Sequence, residues 1–212
     1  MKQVNVGIIT ADIVSSTEID FGSKEDAFAQ FNEGLELIKK KFEIKYEWYR
    51  GDAFQVKTPS TASSLRIALL IKFWIKSFEK ENKKTQDVRL SLGIGTIKID
   101  KKELSMSDGE AFRLSGRNLD QLKSSKQLLI IDATDTNSNA LKIESVLLNT
   151  LINDITSIQA KVLFYKLNGL IEEDIAKLLG LAQSTVNQHS NAGNWNTFSK
   201  YVNYFEQMYH NA

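Results

Sequence analysis

Hydrophobic periodicity changes near residue 134 of this 212-residue chain, and the change divides the sequence into two parts. Before that point, segments patterned as strands alternate with segments of helical spacing, in the order β-α-β-β-α-β-α-β. From residue 140 onward every apolar pattern has helical spacing. This order predicts an α+β sheet of ferredoxin-like or palm type with packed helices, followed by a small all-α domain.

The individual elements follow from the same patterns. Strands are predicted at Val4–Ile13, Ile44–Arg50, Ala53–Lys57, Val88–Ile99 and Leu128–Asp132, and helices at Lys24–Phe42, Ser60–Glu79 and Gly109–Ser124. The segment Thr134–Asn139 has six polar residues and no hydrophobic one. We therefore predict a domain boundary there, with one domain at 1–133 and a second at 140–212.

Composition narrows the classes of protein. The chain has no cysteine, which excludes disulfides, thiolate metal ligands and cysteine nucleophiles. With a net charge of +1, the chain as a whole does not attract nucleic acid or membrane electrostatically. The longest apolar stretch, Ile67–Phe78, is interrupted by two lysines and is too short to span a bilayer. No signal peptide is recognisable, so we expect a cytoplasmic protein without a membrane segment.

Two aspartates stand at the ends of predicted strands. Asp12 closes the first strand, and Asp52 lies in the turn between the second and third. Carboxylates at adjacent strand ends can share divalent cations, and such sites clamp the oxygens of a phosphoryl transfer. The loop after Asp12 can offer backbone N–H groups and the Thr17 hydroxyl to a phosphate. Taken singly, each aspartate is explained as a cap or a turn residue; their joint placement favours the metal site.

Four segments then resemble those of class III nucleotidyl cyclases, and they occur in that family's order. They are Thr10–Thr17, Arg50–Phe54, Arg89–Gly95 and Gly109–Arg117. The resemblance covers most of residues 4–132. It implies a metal-dependent nucleotide-binding domain that cyclises a nucleoside triphosphate.

The resemblance also implies a role for individual residues. Asp12 and Asp52, with the Ile13 carbonyl, would bind Mg²⁺ or Mn²⁺, and Arg117 would stabilise charge on the transferring phosphate. Family members pair head to tail, so a homodimer is implied in which metals and arginine come from different subunits. The residues expected to contact the nucleotide are Val14, Ser15, Ser16, Thr17, Trp48, Tyr49 and Arg50.

Three positions depart from the family pattern. Arg113 replaces an asparagine four residues before Arg117, and Trp48 and Met106 replace the pair that reads adenine. Arg113 and Arg117 share a helix face. They could grip a triphosphate together, bind nucleotide without aligning it for chemistry, or form surface ion pairs with Glu110 and Asp120.

The C-terminal part resembles a bacterial helix-turn-helix, with helices at Glu172–Leu179 and Gln183–Ala192 around the turn 180–182. The whole chain also resembles the SatD family of small bacterial proteins, which has the same arrangement. Residues that could contact DNA are Gln183, Ser184, Thr185, Asn187 and Gln188. However, residues 140–212 contain five lysines, no arginine and six acidic residues, and DNA affinity depends mainly on phosphate neutralisation.

Three hypotheses about function remain open at this point. The chain is a metal-dependent nucleotidyl cyclase coupled to a helix-turn-helix, a nucleotide-sensing transcriptional regulator without turnover, or an interaction protein that uses both parts for assembly.

Overall fold

A computed structural model describes residues 5–15, 21–79 and 85–210, with the side chains of 21–26 left out. The strands are β1 (Asn5–Ile13), β2 (Lys45–Trp48), β3 (Ala53–Lys57), β4 (Val88–Ile99), β5 (Asp108–Gly109) and β6 (Leu129–Ala133). The helices are α1 (Phe21–Phe42), α2 (Thr61–Lys76), α3 (Glu110–Lys123), α4 (Ser138–Asn153), α5 (Ser157–Leu167), α6 (Glu172–Leu179), α7 (Gln183–Ala192) and α8 (Trp195–His210). The predicted α+β class and the predicted order of the larger elements are confirmed. The sequence patterns missed the two-residue strand β5 and a short 3₁₀ turn at Leu104–Met106.

Five of the strands form the sheet order β2-β3-β1-β4-β6, and β5 pairs with the far end of β4. The first four strands pair antiparallel, while β6 is parallel to β4 and follows it through α3. The order β2-β3-β1-β4, with helices after β1 and β3, is ferredoxin-like.

Alternation along β1 assigns its residues to the two faces of the sheet. Ile9, Ala11 and Ile13 belong to the main core, together with residues of α1 and α2. Ile8 packs in a second cluster with residues of α3, and the Thr10 hydroxyl lies 2.8 Å from a serine hydroxyl of the same helix. Because successive side chains of a strand point to opposite faces, Asp12 lies on the α3 face.

Close contact between α3 and β4 depends on a glycine. A Cβ atom at Gly93 would lie 2.6 Å from the Ala111 carbonyl oxygen and 2.7 Å from the Ser115 amide nitrogen. Both of those atoms are backbone, so neither can move aside without shifting the helix. Helix α3, which carries two candidate arginines, therefore packs directly on β4, the strand that pairs with the Asp12-bearing strand β1.

We expect Gly93→Ala to destabilise the fold by about 1–3 kcal/mol, because a methyl group there overpacks the interface between α3 and β4. Gly116→Ala in α3 is the control, since nothing lies within 4 Å of the added methyl group and alanine favours helix. Urea unfolding of both variants measures the difference. Equal stability of the two variants would show that α3 does not rest on β4 as described.

The outer edge of β6 is closed by side chains of α4. The Asn149 amide oxygen accepts hydrogen bonds from the Leu128 and Leu129 amides at 2.8 and 3.0 Å, and its nitrogen donates to the Leu129 carbonyl at 2.7 Å. The Ser145 hydroxyl accepts from the Ile131 amide at 2.8 Å. These contacts occupy an edge that would otherwise offer unpaired backbone groups to another strand.

The C-terminal helices pack on α2. Phe73 of α2 meets Phe198 edge to face at 5.1 Å between ring centres, and Trp74 meets Phe164 at 4.7 Å. One hydrophobic core consequently runs from the sheet through α2 into α4, α5 and α8. Helices α6 and α7 pack against α5 through a smaller cluster that contains Ile175 and Val186. Within the described ranges, no helix is both long enough and apolar enough to cross a membrane.

Candidate functional site

The sheet brings Asp12 and Asp52 together. Asp12 pairs in register with Ala53, the residue that follows Asp52, and the Ile13 amide donates to the Asp52 carbonyl at 2.9 Å. Burial and the charge of Asp52 raise the pKa of the Asp12 carboxyl above its usual range, against the lowering effect of the Arg89 guanidinium. The two carboxylates are therefore close enough to repel each other electrostatically.

Arg89 is a site residue to which sequence reasoning gave no role. It lies opposite Asp12 in the pairing of β1 with β4, and its guanidinium donates to the Asp12 carboxylate across 3.2 Å. Its Nε atom is buried and has no hydrogen-bond partner among the described residues. The only signal in the sequence was a charged residue inside an alternating strand, and its contact with Asp12 depends on the strand register.

The shifted pKa of Asp12 predicts a stability cost for this site. Because the folded state binds the Asp12 proton more tightly than the unfolded state, ionised Asp12 destabilises the fold at neutral pH. We expect Asp12→Asn to raise Tm at pH 7, and the difference from wild type to shrink as the pH falls towards about 4. Circular dichroism melts measure this, with the exposed Asp120→Asn variant as control. A lower Tm for Asp12→Asn at pH 7 would contradict it.

The donor set at this position fits Mg²⁺ or Mn²⁺. Both cations prefer oxygen ligands, and Mg²⁺ is commonly held by one or two carboxylates together with substrate phosphates. Two carboxylates that repel each other gain by sharing a cation. Among the described residues no group of three or more acidic, histidine or cysteine side chains could hold a metal ion. The remaining ligands would have to come from phosphate oxygens, water and the Ile13 carbonyl.

The residues of the predicted nucleotide-contacting hairpin separate onto different sides of the sheet. The Trp48 ring centre lies 5.4 Å from that of Phe28 and 4.6 Å from that of Phe54. These rings lie on the face of the sheet opposite Asp12. Tyr49 is 38% exposed, and burial of the rest of the ring together with the charges of Asp12, Asp120 and Asp52 raises the pKa of its hydroxyl. Arg50 is exposed and lowers that pKa. The Tyr49 hydroxyl is thus within electrostatic reach of both carboxylates, whereas the Trp48 ring lies on the other face of the sheet.

The segment after Asp12 is described only as far as Ser15. The Val14 amide donates to the Asp87 carbonyl at 2.9 Å, and Ser15 has a positive φ of 53°. A positive φ is uncommon for a residue other than glycine. The predicted contacts of Ser16 and Thr17 lie outside the described residues.

The two arginines of α3 lie on its exposed side. Arg113 donates to both carboxylate oxygens of Asp108, at 2.6 and 2.7 Å. Arg117 donates from its Nε atom to the Arg113 carbonyl at 3.2 Å. Arg113 therefore pairs with Asp108, which the sequence analysis did not name, while the predicted partner Asp120 pairs with Lys123. Lys123, at the other end of α3, is the residue of this helix whose charge reaches Asp12.

The candidate DNA-contacting residues lie on α7. Gln183, Ser184, Asn187 and Gln188 are exposed and Thr185 is half-buried. Asn187 lies 3.3 Å from both carboxylate oxygens of Glu172, in the first turn of α6. That turn also carries Glu173 and Asp174; Glu172 is paired with Lys166, and Glu173 with Lys177.

Comparisons with known proteins give likenesses only at the level of solved structures. No family model matches the chain, and no curated protein matches it. A guanylyl cyclase domain of the RhoGC fusion protein from the aquatic fungus Blastocladiella emersonii is 20% identical, with a TM-score of 0.46, over 67% of this chain and 84% of that one. The guanylate cyclase domain of RhGC from Catenaria anguillulae in complex with GTP is 19% identical, with a TM-score of 0.46, over 68% and 82%. A bacterial light-regulated adenylyl cyclase is 12% identical, with a TM-score of 0.46, over 62% and 77%.

These likenesses do not fix an activity, because function depends on the residues of a site and not on a shared fold. By its own geometry the chain is a ferredoxin-like α+β protein with a pair of carboxylates at one end of its central strands.

Proposed function

We propose that this chain binds a nucleoside triphosphate together with Mg²⁺ or Mn²⁺ at Asp12 and Asp52, and that a homodimer cyclises it. The observation that carries the proposal is the convergence of the two aspartates through the pairing of β1 with β3. Arg89 supplies a positive charge beside them, as an anionic ligand requires.

Each residue has a distinct part in this proposal. Asp12 and Asp52, with the Ile13 carbonyl, would hold the metal, which when bound neutralises negative charge on the phosphates. Arg89 would exchange its contact with Asp12 for phosphate oxygens, since a guanidinium suits both partners. Tyr49, whose hydroxyl feels the charges of both aspartates, and the exposed Arg50 that follows it would limit where the nucleoside lies.

The proposed homodimer rests on the resemblance to nucleotidyl cyclases, and the exposed position of Arg117 is compatible with it. This side chain is exposed on α3 and contacts the backbone of its own helix. A second copy docked on this face would receive Arg117 at its carboxylate pair, and the arginine would then stabilise charge developing on the transferring phosphate.

A turnover assay tests the proposal. The purified chain is incubated with ATP, GTP, CTP and UTP, first with Mn²⁺ and then with Mg²⁺, and products are identified by mass spectrometry. A cyclic nucleotide that disappears in the Asp52→Ala variant is the expected result. If no nucleotide yields a product, the cyclase activity is excluded.

A second candidate function is nucleotide sensing without turnover. The ion pair between Arg113 and Asp108 favours it, because this arginine stands where the family resemblance expects an asparagine and is already engaged by a carboxylate. Equilibrium binding of a nucleotide with Mg²⁺, with no product after prolonged incubation, would select this function.

For α6 and α7 we propose a regulatory or assembly role in place of sequence-specific DNA binding. Residues 140–212 contain five lysines, no arginine and six acidic residues, so they offer little positive charge to neutralise DNA phosphates at α7. Selection from a random DNA pool, with and without nucleotide, tests this. Recovery of one preferred sequence would instead favour a transcriptional regulator.

A further inference from the structure

Both backbone polar groups of Val14 are held by two consecutive residues. The Val14 amide donates to the Asp87 carbonyl at 2.9 Å, and the Gln86 side-chain amide donates to the Val14 carbonyl at 2.8 Å. Gln86 is 3% exposed, and its backbone amide donates to the Phe78 carbonyl at 2.8 Å. Two hydrogen bonds therefore fix the backbone of Val14, the residue that follows β1.

A buried ion pair holds the residues that make these bonds. Lys72 of α2 is 1% exposed and donates to the Asp87 carboxylate at 2.5 Å and to the Val88 carbonyl at 2.8 Å. Lys76 reaches the other carboxylate oxygen at 3.5 Å, and the Val88 amide donates to the first at 2.7 Å. We call Gln86, Asp87 and Lys72 the Val14 clamp.

A gain in folding stability does not explain why the clamp contains a buried ion pair. A buried ion pair is often no more stabilising than apolar residues of the same volume, because removing both charges from water costs several kcal/mol. Burial lowers the pKa of Lys72, and the Asp87 carboxylate opposes that shift. The ion pair fixes the orientation of Asp87. Since Lys72 also bonds to the Val88 carbonyl and Asp87 to the Val88 amide, it fixes the backbone at the start of β4 as well.

The clamp lies at the end of the ladder that carries the site. Ile13 pairs with Val88 and Asp12 with Arg89, so one residue pair separates the clamp from the carboxylate and its arginine. Strand ends without fixed partners open locally. A displacement of about 1 Å in a binding or catalytic group can cost about 100-fold in rate.

We infer that the Val14 clamp positions Asp12 and the Val14 backbone for the metal and the polyphosphate. This inference rests on the proposed function. None of the three clamp residues touches the nucleotide in it; they act through the backbone of Val14 and Val88.

The test compares Gln86→Met with Asn149→Leu. Each variant replaces a buried amide side chain that bonds to backbone, but Asn149 belongs to α4 and bonds to β6, which pairs with β4 and not with β1. Affinities for ATP, GTP, CTP and UTP with Mg²⁺ are measured by calorimetry, and Tm by circular dichroism. We expect both variants to lose stability, and only Gln86→Met to lose affinity, by about 10- to 100-fold, as for other residues behind a metal site.

A second readout follows the segment itself. Hydrogen exchange of the peptide covering residues 5–15 should be faster in Gln86→Met than in Asn149→Leu, without nucleotide present. If Gln86→Met does not fold, Gln86→Leu also removes the donor and adds no charge. Equal affinity of both variants for a nucleotide that the wild type binds would overturn the inference alone. A wild type that binds none of the four would overturn the proposed function and with it the inference.

Discussion

Asp52→Asn is expected to reduce metal-dependent nucleotide affinity by more than about 100-fold, because removing even an outer partner of a metal site costs about 10- to 100-fold. The substitution keeps the shape of the side chain and removes one of two charges that converge where β1 and β3 pair. Asp12→Asn is expected to have the same effect while raising Tm. If Asp12→Asn loses affinity while its Tm rises, the loss of binding cannot be caused by a loss of folding stability.

Calorimetry with Mg²⁺ and each nucleotide measures this effect. Asp120→Asn is the matched control, since its carboxylate also acts electrostatically on Tyr49 but is 76% exposed on α3 and belongs to no proposed metal set. Its affinity should stay near that of wild type. Equal losses in Asp52→Asn and Asp120→Asn would mean that general negative charge, and not a metal site, governs binding.

Mixing two inactive variants is expected to restore turnover if the site is shared between two copies. Asp52→Asn removes a metal ligand, and Arg117→Ala removes the arginine, so each homodimer alone has no complete site. In an equal mixture half of the dimers combine the two chains, and one of their two sites is intact, which gives about a quarter of wild-type activity. The reason is geometric: Arg117 is exposed and bonded to its own helix backbone, whereas the carboxylates lie at the sheet.

The mixture is assayed after co-refolding, and sedimentation confirms that dimers form. Mixing Asp52→Asn with Asp12→Asn is the control, because both changes fall in the same half of the site and no combination rebuilds it. Activity no higher in the first mixture than in this control would contradict a shared site and favour one contained within a single chain.

Much of the fold could be predicted from local patterns. The ends of β3, β4, α6 and α7 coincide with the predictions, because their apolar periodicity is bounded by turn residues. Helix α2 was also predicted, and it begins one residue after the predicted Ser60, whose side chain caps it by accepting from the Ser63 amide. The two-residue strand β5 was not, since it is too short to have a period.

The site was predictable only in part. Asp12 and Asp52 could be singled out because each follows or precedes a strong strand pattern. Arg89 could not, since its role depends on which residue of β4 lies opposite Asp12, and register is a long-range property. Trp48 was expected at the nucleotide, yet its ring packs on the other face of the sheet.

Sequence alone determined which segments are strands and helices, because periodicity and capping act between residues a few positions apart. It also determined that two carboxylates stand at strand ends. Tertiary structure decided that they meet each other and Arg89, and that Lys72 and Asp87 form a buried pair beneath Val14. These contacts join residues 15 to 77 positions apart, and only the packing of α2 and the pairing of β1 with β4 bring them within bonding distance.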